Sequence, residues 1–302
     1  MDYELTLVDR IGVIKSTNDK YDLEHNAYLS FSGGKDSTIL HYLLDMALPN
    51  NQIPRVFIDT GIEYQMIRQF VLQLAEKDKR FVIIKPSQPV KPILDKYGYP
   101  FKSKEHSKKV DQYWRTKVLT DYLKKYVDDT NNGIKTKYKC PKQLLYQFTP
   151  ENKLHCSHLC CQYLKKNPIK KFQKQTSRFV AITGMRKEEG GQRANIKGCI
   201  LTDNKGRLKL FHPLLVVDDP WEEDFINNEH IDICDLYKEP YNFKRTGCKG
   251  CPFSLDLQEQ LEIMEQYLPN ERKQCELIWK PVYDEYRRLG YRLKKVENIK
   301  LF

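Results

Sequence analysis

Long apolar runs are missing from this chain: none approaches the ~18 consecutive residues that a membrane-crossing helix needs. The opening Met1-Asp2-Tyr3-Glu4 lacks the basic-then-apolar layout of a secretion signal, so a cytoplasmic location is expected. Internal repeats and low-complexity tracts are also absent, which leaves a globular protein. With 302 residues, 40% hydrophobic and 30% charged, the chain can bury a core as one large domain or two unequal ones. Cysteine, by contrast, is plentiful at nine residues. In a reducing compartment disulfides account poorly for that number, and metal ligation or thiol chemistry accounts for it better. The net charge of +11 comes largely from runs at 102–109, 135–142 and 165–174. Such runs favour polyanionic partners, tRNA or DNA among them; solvated helix faces are the plainer reading.

Residues Ala27 to Phe31 form a short apolar run that ends in a glycine turn, and Ser37 to Met46 then carries Ile39, Leu40, Leu43 and Leu44 at helical spacing. Arg55 to Ile58 reads as a second strand closing on Asp59-Thr60-Gly61, followed by a helix through Ala75, and Arg80 to Lys85 as a third strand. Strands alternating with helices imply an α/β fold with a doubly wound parallel sheet. From Pro86 to Pro150 the pattern loosens into what reads as an insertion, with a helix expected over Asp111 to Tyr126 and a turn at Asp128 to Gly133. Helix is expected again over Cys160 to Lys174 with a break at Pro168. A strand follows over Phe179 to Thr183, then mostly helix from Trp221 onward apart from the loop around Cys248. Apolar positions between Leu261 and Tyr283 are expected to pack inside the monomer, a second copy of the chain being the alternative.

After the first strand, Ser32-Gly33-Gly34-Lys35-Asp36-Ser37 sets two glycines where backbone amides must approach a ligand, and then opens a helix. Amides and helix terminus together make an anion cradle. The spacing is not that of the Walker loop, which argues against kinase-like or motor chemistry. The segment Ser30-Phe31-Ser32-Gly33-Gly34-Lys35-Asp36-Ser37 resembles the signature of PP-loop ATP pyrophosphatases and sulfonucleotide reductases. Three later segments resemble the reductase branch in order. They are Asp59-Thr60-Gly61, then Gly184-Met185-Arg186 with Arg193 seven residues after Arg186, then His212-Pro213-Leu214 with Trp221, where histidine replaces the family's asparagine. On these motifs the chain resembles the phosphoadenosine phosphosulfate reductase family of the adenine nucleotide alpha hydrolase-like, Rossmann-like superfamily. The resemblance implies a nucleotide-binding domain over 1–215, with the insertion at 86–150, and a mostly helical region over 216–302. It also implies nucleotide contacts from Ser30, Ser32, Gly33, Gly34, Lys35, Asp36, Ser37, Asp59, Thr60, Gly61, Gly184 and Met185. Lys35, Arg186 and Arg193 would offset phosphate or sulfate charge, and Asp36 would orient groups among them.

Cys160-Cys161 and, 86 residues further on, Cys248-Lys249-Gly250-Cys251 supply four thiols, the usual complement of a 4Fe-4S cluster. The pairing resembles the cluster motif of adenylyl sulfate reductases, which makes these four the expected ligands. Zinc suits Cys-x-x-Cys equally well. Neighbouring side chains diverge by ~100° on a helix, so Cys156 or Cys199 could replace one of the tandem pair. His155 and His158 read as surface residues, and Cys140, Cys234 and Cys275 as small buried hydrophobes.

The family's reductases use a nucleophilic cysteine in a Cys-Gly-Leu-His tail, whereas this sequence closes on Asn298-Ile299-Lys300-Leu301-Phe302. The leading expectation is therefore the superfamily's other activity. ATP would be attacked at its α-phosphorus, pyrophosphate would leave with help from Mg²⁺, and the adenylated substrate, a nucleic acid among the options, would accept sulfur. The alternatives are a sulfonucleotide reductase using another thiol and a nucleotide-responsive nucleic-acid-binding module. A sulfur or electron donor protein and a homo-oligomer are further expected partners.

Overall fold

The computed structural model describes residues 2–136, 138–190 and 193–295; Lys137 of the second basic run and the closing Asn298 to Phe302 lie outside them. In chain order the elements are α1 (Tyr3–Tyr21), α2 (Leu23–Asn26), β1 (Ala27–Ser30), α3 (Lys35–Ala47), β2 (Arg55–Ile58), α4 (Gln65–Lys77) and β3 (Phe81–Ile84). Next come α5 (Val90–Tyr97), α6 (Lys104–Thr116), α7 (Asp121–Asn131) and α8 (Asn167–Thr176). β4 (Val180–Ile182), β5 (Ile200–Thr202), β6 (Leu208–Phe211), α9 (Asp219–Asn228), α10 (Leu257–Tyr267) and α11 (Pro269–Leu289) complete the chain. Two compact units result: 1–59, 63–85 and 168–247 in one, and 60–62, 86–167 and 248–302 in the other.

The first unit holds a six-stranded sheet in the order β3-β2-β1-β4-β6-β5. All neighbours pair in parallel except the edge strand β5, which pairs antiparallel with β6. Side chains alternate across the strands and bury both faces. Tyr28, Val56 and Ala181 pack with Phe172 of α8 on one face. Phe31 and Phe81 turn to the other, where His41 of α3 meets both rings edge-on. The sheet is thus covered on both sides, as a doubly wound fold requires.

The second unit is helical, built from α5, α6, α7, α10 and α11. The single helix expected over Asp111 to Tyr126 is two helices, because Lys117 adopts a left-handed conformation (φ 55°) and closes α6. The expected Asp128 turn comes later, since α7 continues to Asn131. Before Pro168 the helix widens into a π turn over Gln162–Lys166. Proline has no N–H for the carbonyl one turn back, and the wider turn absorbs that loss. Residues 229–256 are mostly irregular rather than helical, holding one short 3-10 turn at Asp235–Tyr237. The apolar residues of α10 and α11 pack within this unit: Leu261, Met264, Trp279, Val282 and Tyr283 are buried.

One buried polar network ties α3 to β2. Arg55 is fully buried and donates to His41 Nδ1 at 3.0 Å, Asn51 Oδ1 at 2.7 Å and Asp45 Oδ1 at 2.6 Å. To accept from Arg55, His41 must be neutral; burial first, then the Arg55 charge, lowers its pKa from 6.5 to about 4. In the second unit His106, fully enclosed between Tyr126 and Gln147, is lowered by burial to about 3. Both folded-state values lie below the unfolded value, so each histidine contributes stability above about pH 6.5 that is lost as pH falls toward 4. For His41 the loss is on the order of 3 kcal/mol. Thermal melting temperature is expected to fall steeply between pH 6.5 and 4.5. His41→Gln, whose amide oxygen still accepts from Arg55, should have a shallower slope, and an unchanged slope would contradict the assignment.

Candidate functional site

β1 and β4 are adjacent and parallel, so their carboxyl ends open side by side. Strand order reverses here, running from β1 to β2 and β3 one way and to β4 and β6 the other. Open α/β sheets form their ligand crevices at such a reversal. The loop after β1 carries Ser32 to Ser37, and the loop after β4 carries Gly184, Met185 and Arg186.

Gly33 sits at φ 73°, and a Cβ there would lie 2.8 Å from Ile67 Cγ2 and 2.9 Å from Val71 Cγ2, so both backbone and space demand glycine. The two serines brace the turn from within. Ser37 Oγ donates to the Gly34 carbonyl at 2.9 Å, the Ser32 N–H donates to Ser37 Oγ at 3.2 Å, and the Gly34 N–H donates to Ser32 Oγ at 3.3 Å. Gly34 caps α3 with no side-chain hydrogen bond. The first-turn amides stand at the positive end of α3, where the Lys35 N–H donates to the Tyr237 hydroxyl.

Gly184 presses directly on that turn. A Cβ on it would stand 2.9 Å from Asp36 Cβ and 3.0 Å from the Asp36 carbonyl, closer than real Cβ contacts come. This approach delivers Arg186 to the phosphate loop. Its buried guanidinium donates from Nε to Asp36 Oδ1 at 2.8 Å and from Nη2 to Asp219 Oδ1 at 2.7 Å, and lies 3.1 Å from Glu222 Oε2. Lys35 Nζ is 3.2 Å from the same Glu222 oxygen. Arg193 and Arg245 both pair with Glu189, Arg245 at 2.6 Å, and Arg193 is half-buried close enough to feel the charges of Arg245, Asp36 and Arg186. Four cations thus converge on one crevice, each held by carboxylates that a phosphate or sulfate group could replace.

The remaining expected contacts are placed as follows. Ser30 ends β1 half-buried and Met185 is half-buried beside Gly184. Asp59, at the end of β2, is ion-paired to Arg68 at 3.0 Å. Thr60 and Gly61 belong to the second unit, where Thr60 Oγ1 accepts from the Ile62 N–H at 3.4 Å and Gly61 takes φ 80°. His212 is buried, with Nδ1 at 2.7 Å from Thr183 Oγ1 and no hydrogen-bond partner for Nε2. Glu222, Asp219, Glu189, Arg245 and the Tyr237–Thr246 hydroxyl pair complete the crevice without having been singled out from the sequence. The nearest sequence signal was Trp221, the neighbour of Glu222.

The four expected metal ligands all belong to the second unit. Cys160 and Cys161 form the helical turn that leads into the π turn, and the Cys251 N–H donates to the Cys248 carbonyl at 3.1 Å around Gly250 (φ 61°). The thiols lie close enough to act on one another. The hydrogen bond that Cys160 donates to the Cys161 sulfur, and then burial, raise Cys160, with added repulsion from Cys251 and Cys248; the same bond lowers Cys161, with Lys104, Lys165 and Lys166 adding to the effect. Burial, then the charges of Cys248 and Cys161, pushes Cys251 up to about 12. Among the described residues, however, no three Cys, His, Asp or Glu side chains stand in metal-ligand geometry. Cys156 is turned to the Leu154 carbonyl at 3.6 Å, and Cys199, in the first unit, receives Arg10 at 3.6 Å. His155 pairs with Asp111 at 3.0 Å and stacks on Trp114, and Cys140, Cys234 and Cys275 are buried. His158 is half-buried, with Nδ1 enclosed and without a hydrogen bond.

Gly184→Ala is expected to push the second loop off α3, at a stability cost of about 1–3 kcal/mol, and to weaken anion binding at least tenfold. Calorimetric titration with inorganic pyrophosphate measures the second effect; wild-type affinity in the variant would show that the close approach is dispensable.

Residues 26–133 and 129–254 match the phosphoadenosine phosphosulfate reductase domain. An uncharacterised protein of Methanocaldococcus jannaschii is 26% identical over 266 residues, which cover 85% of this chain and 48% of that protein. This chain therefore spans about half the length of that relative. Among solved structures, phosphoadenylyl-sulfate reductase from Candida auris in its phosphate complex aligns at a TM-score of 0.43 and 15% identity, covering 74% of this chain and 81% of that one. Candida glabrata FMN adenylyltransferase with FAD and inorganic pyrophosphate aligns at 0.46 and 15%, covering 80% and 62%. The matched family span contains the phosphate loop, the Gly184 to Arg186 turn and all four clustered cysteines, and the chain belongs to the phosphoadenosine phosphosulfate reductase domain family.

Proposed function

We propose that this chain binds an adenine nucleotide at the β1/β4 crevice and acts on the anionic group at its 5′ end, with a sulfonucleotide as substrate. The observation that carries this reading is the gathering of Lys35, Arg186, Arg193 and Arg245 around the carboxylates of Asp36, Glu222 and Glu189 beside the 32–37 loop. The loop amides and the α3 terminus would hold the phosphate, and the guanidiniums would offset charge on the sulfuryl oxygens as it builds up. A thiolate, from a cysteine of this chain or of a partner protein, would attack the sulfate sulfur. The S–O bond to the nucleoside phosphate would break, that phosphate would leave with the bonding pair, and a thiosulfonate would remain. A second thiol would then release sulfite and leave a disulfide.

The gathering of four thiols in the second unit supports a second reading, in which ATP is adenylyl donor and the cysteine centre serves sulfur transfer. Here a substrate oxygen would attack the α-phosphorus, pyrophosphate would leave against the same cations, and a sulfur nucleophile would then attack the activated carbon of the adenylated substrate, breaking its C–O bond with AMP as leaving group. Basic neighbours of the thiols, Lys104, Lys165 and Lys166, suit a polyanionic acceptor such as tRNA or DNA.

In both readings Cys160, Cys161, Cys248 and Cys251 would hold an iron-sulfur cluster, with zinc as the rival occupant. Their chemistry fits: four thiols close enough to perturb one another, among them the raised Cys160 and Cys251, are a set that a cationic centre would deprotonate. The tandem side chains would have to turn to close the ligand set. Such a cluster supplies electron transfer or a site for sulfur.

Product analysis separates the reactions. Sulfite released from adenylyl sulfate or its 3′-phosphorylated form, with a thiol reductant present, supports the first reading; pyrophosphate released from ATP supports the second; neither product from anaerobically purified protein sinks both. Lys35→Ala and Arg186→Ala should each lower kcat/KM about a hundredfold. Iron and sulfide counts that fall to background in Cys248→Ser would support the cluster, and stoichiometric zinc would overturn it.

A further inference from the structure

Glu222 is a fully buried carboxyl in the crevice whose oxygens accept no hydrogen bond from an N–H or O–H among the described residues, and which meets the Asp36 carboxyl within hydrogen-bond reach when protonated. Its Oε2 lies 3.2 Å from Lys35 Nζ and 3.1 Å from Arg186 Nη2, within ion-pair range of the two cations nearest the phosphate loop but aligned with neither N–H. A buried carboxylate left so poorly satisfied is costly unless it serves something other than stability.

We propose that Glu222 is an internal stand-in for the nucleotide's anionic group. In its ionised form it holds Lys35 and Arg186 while the crevice is empty and competes with the incoming phosphate for both; protonated, it leaves both to the phosphate. Glu222 is thus a positioning residue that acts through Lys35 and Arg186, and the inference rests on the nucleotide-binding reading above.

The groups facing Glu222 fix the sign of the effect. α3 presents Lys35 and Asp36, and the loop after β4 presents Arg186. On α9 itself Asp219 shares Arg186, while α1 meets that helix at Tyr3, whose hydroxyl goes to Glu229. Burial and then the adjacent Asp36 charge raise the Glu222 carboxyl to about 9, with Arg186 and Lys35 pulling the other way. Below that value Glu222 is neutral and leaves the cations to the ligand. Above it the ionised carboxylate competes, and nucleotide affinity should fall as pH rises.

The test is equilibrium binding of ATP and of 3′-phosphoadenosine 5′-phosphate to the full chain between pH 7 and 10, for wild type and Glu222→Gln. Wild-type affinity is expected to drop about tenfold over the upper part of that range. Glu222→Gln should lose this drop and bind at least as tightly as wild type at pH 10. If Glu222→Gln keeps the wild-type pH profile, or binds more weakly at every pH, the stand-in role is wrong although the nucleotide site survives. If wild type binds neither nucleotide at any pH, the nucleotide-binding reading falls as well. Should Glu222→Gln fail to fold, wild-type calorimetry at pH 9.5 in buffers of different ionisation enthalpy decides: net proton uptake on binding supports the role, and none overturns it.

Discussion

The crevice depends on the near-contact of Gly184 with Asp36. Parallel pairing of β1 with β4 brings two loops to the same edge of the sheet, but pairing alone leaves room for a side chain between them. With hydrogen in place of Cβ, the second loop rests on the first turn of α3, and Arg186 reaches Asp36 two residues later. The other cations assemble around that junction: Lys35 through Glu222, Arg193 and Arg245 through Glu189. A doubly wound sheet thereby gathers four cations at its strand-order reversal, the place where such sheets form their ligand crevices.

Of the four cations Arg186 is the buried one, and it is compensated by carboxylates from α3 and α9; Lys35, Arg193 and the exposed Arg245 are each paired with a carboxylate as well. Asp36 and Asp219 flank Arg186 while Glu189 bridges two arginines, so an entering phosphate exchanges partners instead of neutralising bare charge.

Much of the first unit was legible in the sequence because its signals are local. The apolar run before Ser32, the glycines of the turn and the helical spacing after it fix β1, the loop and α3 without reference to the rest of the chain. β5 and β6 were not legible: they are three and four residues long, β5 buries no residue and β6 only its two ends, so neither an apolar run nor alternation marks them. α1 buries only Arg10, Ile14 and Thr17, too sparse a stripe to stand out. In the site, Lys35, Asp36 and Arg186 could be found from motif spacing. Glu222 and Arg245 could not, since one hides in an acid-rich helix and the other in a basic loop, and only folding brings them to the crevice. The four cysteines were identifiable as a group, but whether their side chains close on a metal depends on rotamers that spacing does not determine.

Crystals soaked with 3′-phosphoadenosine 5′-phosphate test the central claim most directly, because they show where the anion lies. The predicted result is 5′-phosphate density against the amides that open α3, with the Arg186 guanidinium turned onto it from Asp36. Density elsewhere on the chain, with Arg186 still bonded to Asp36, would contradict it.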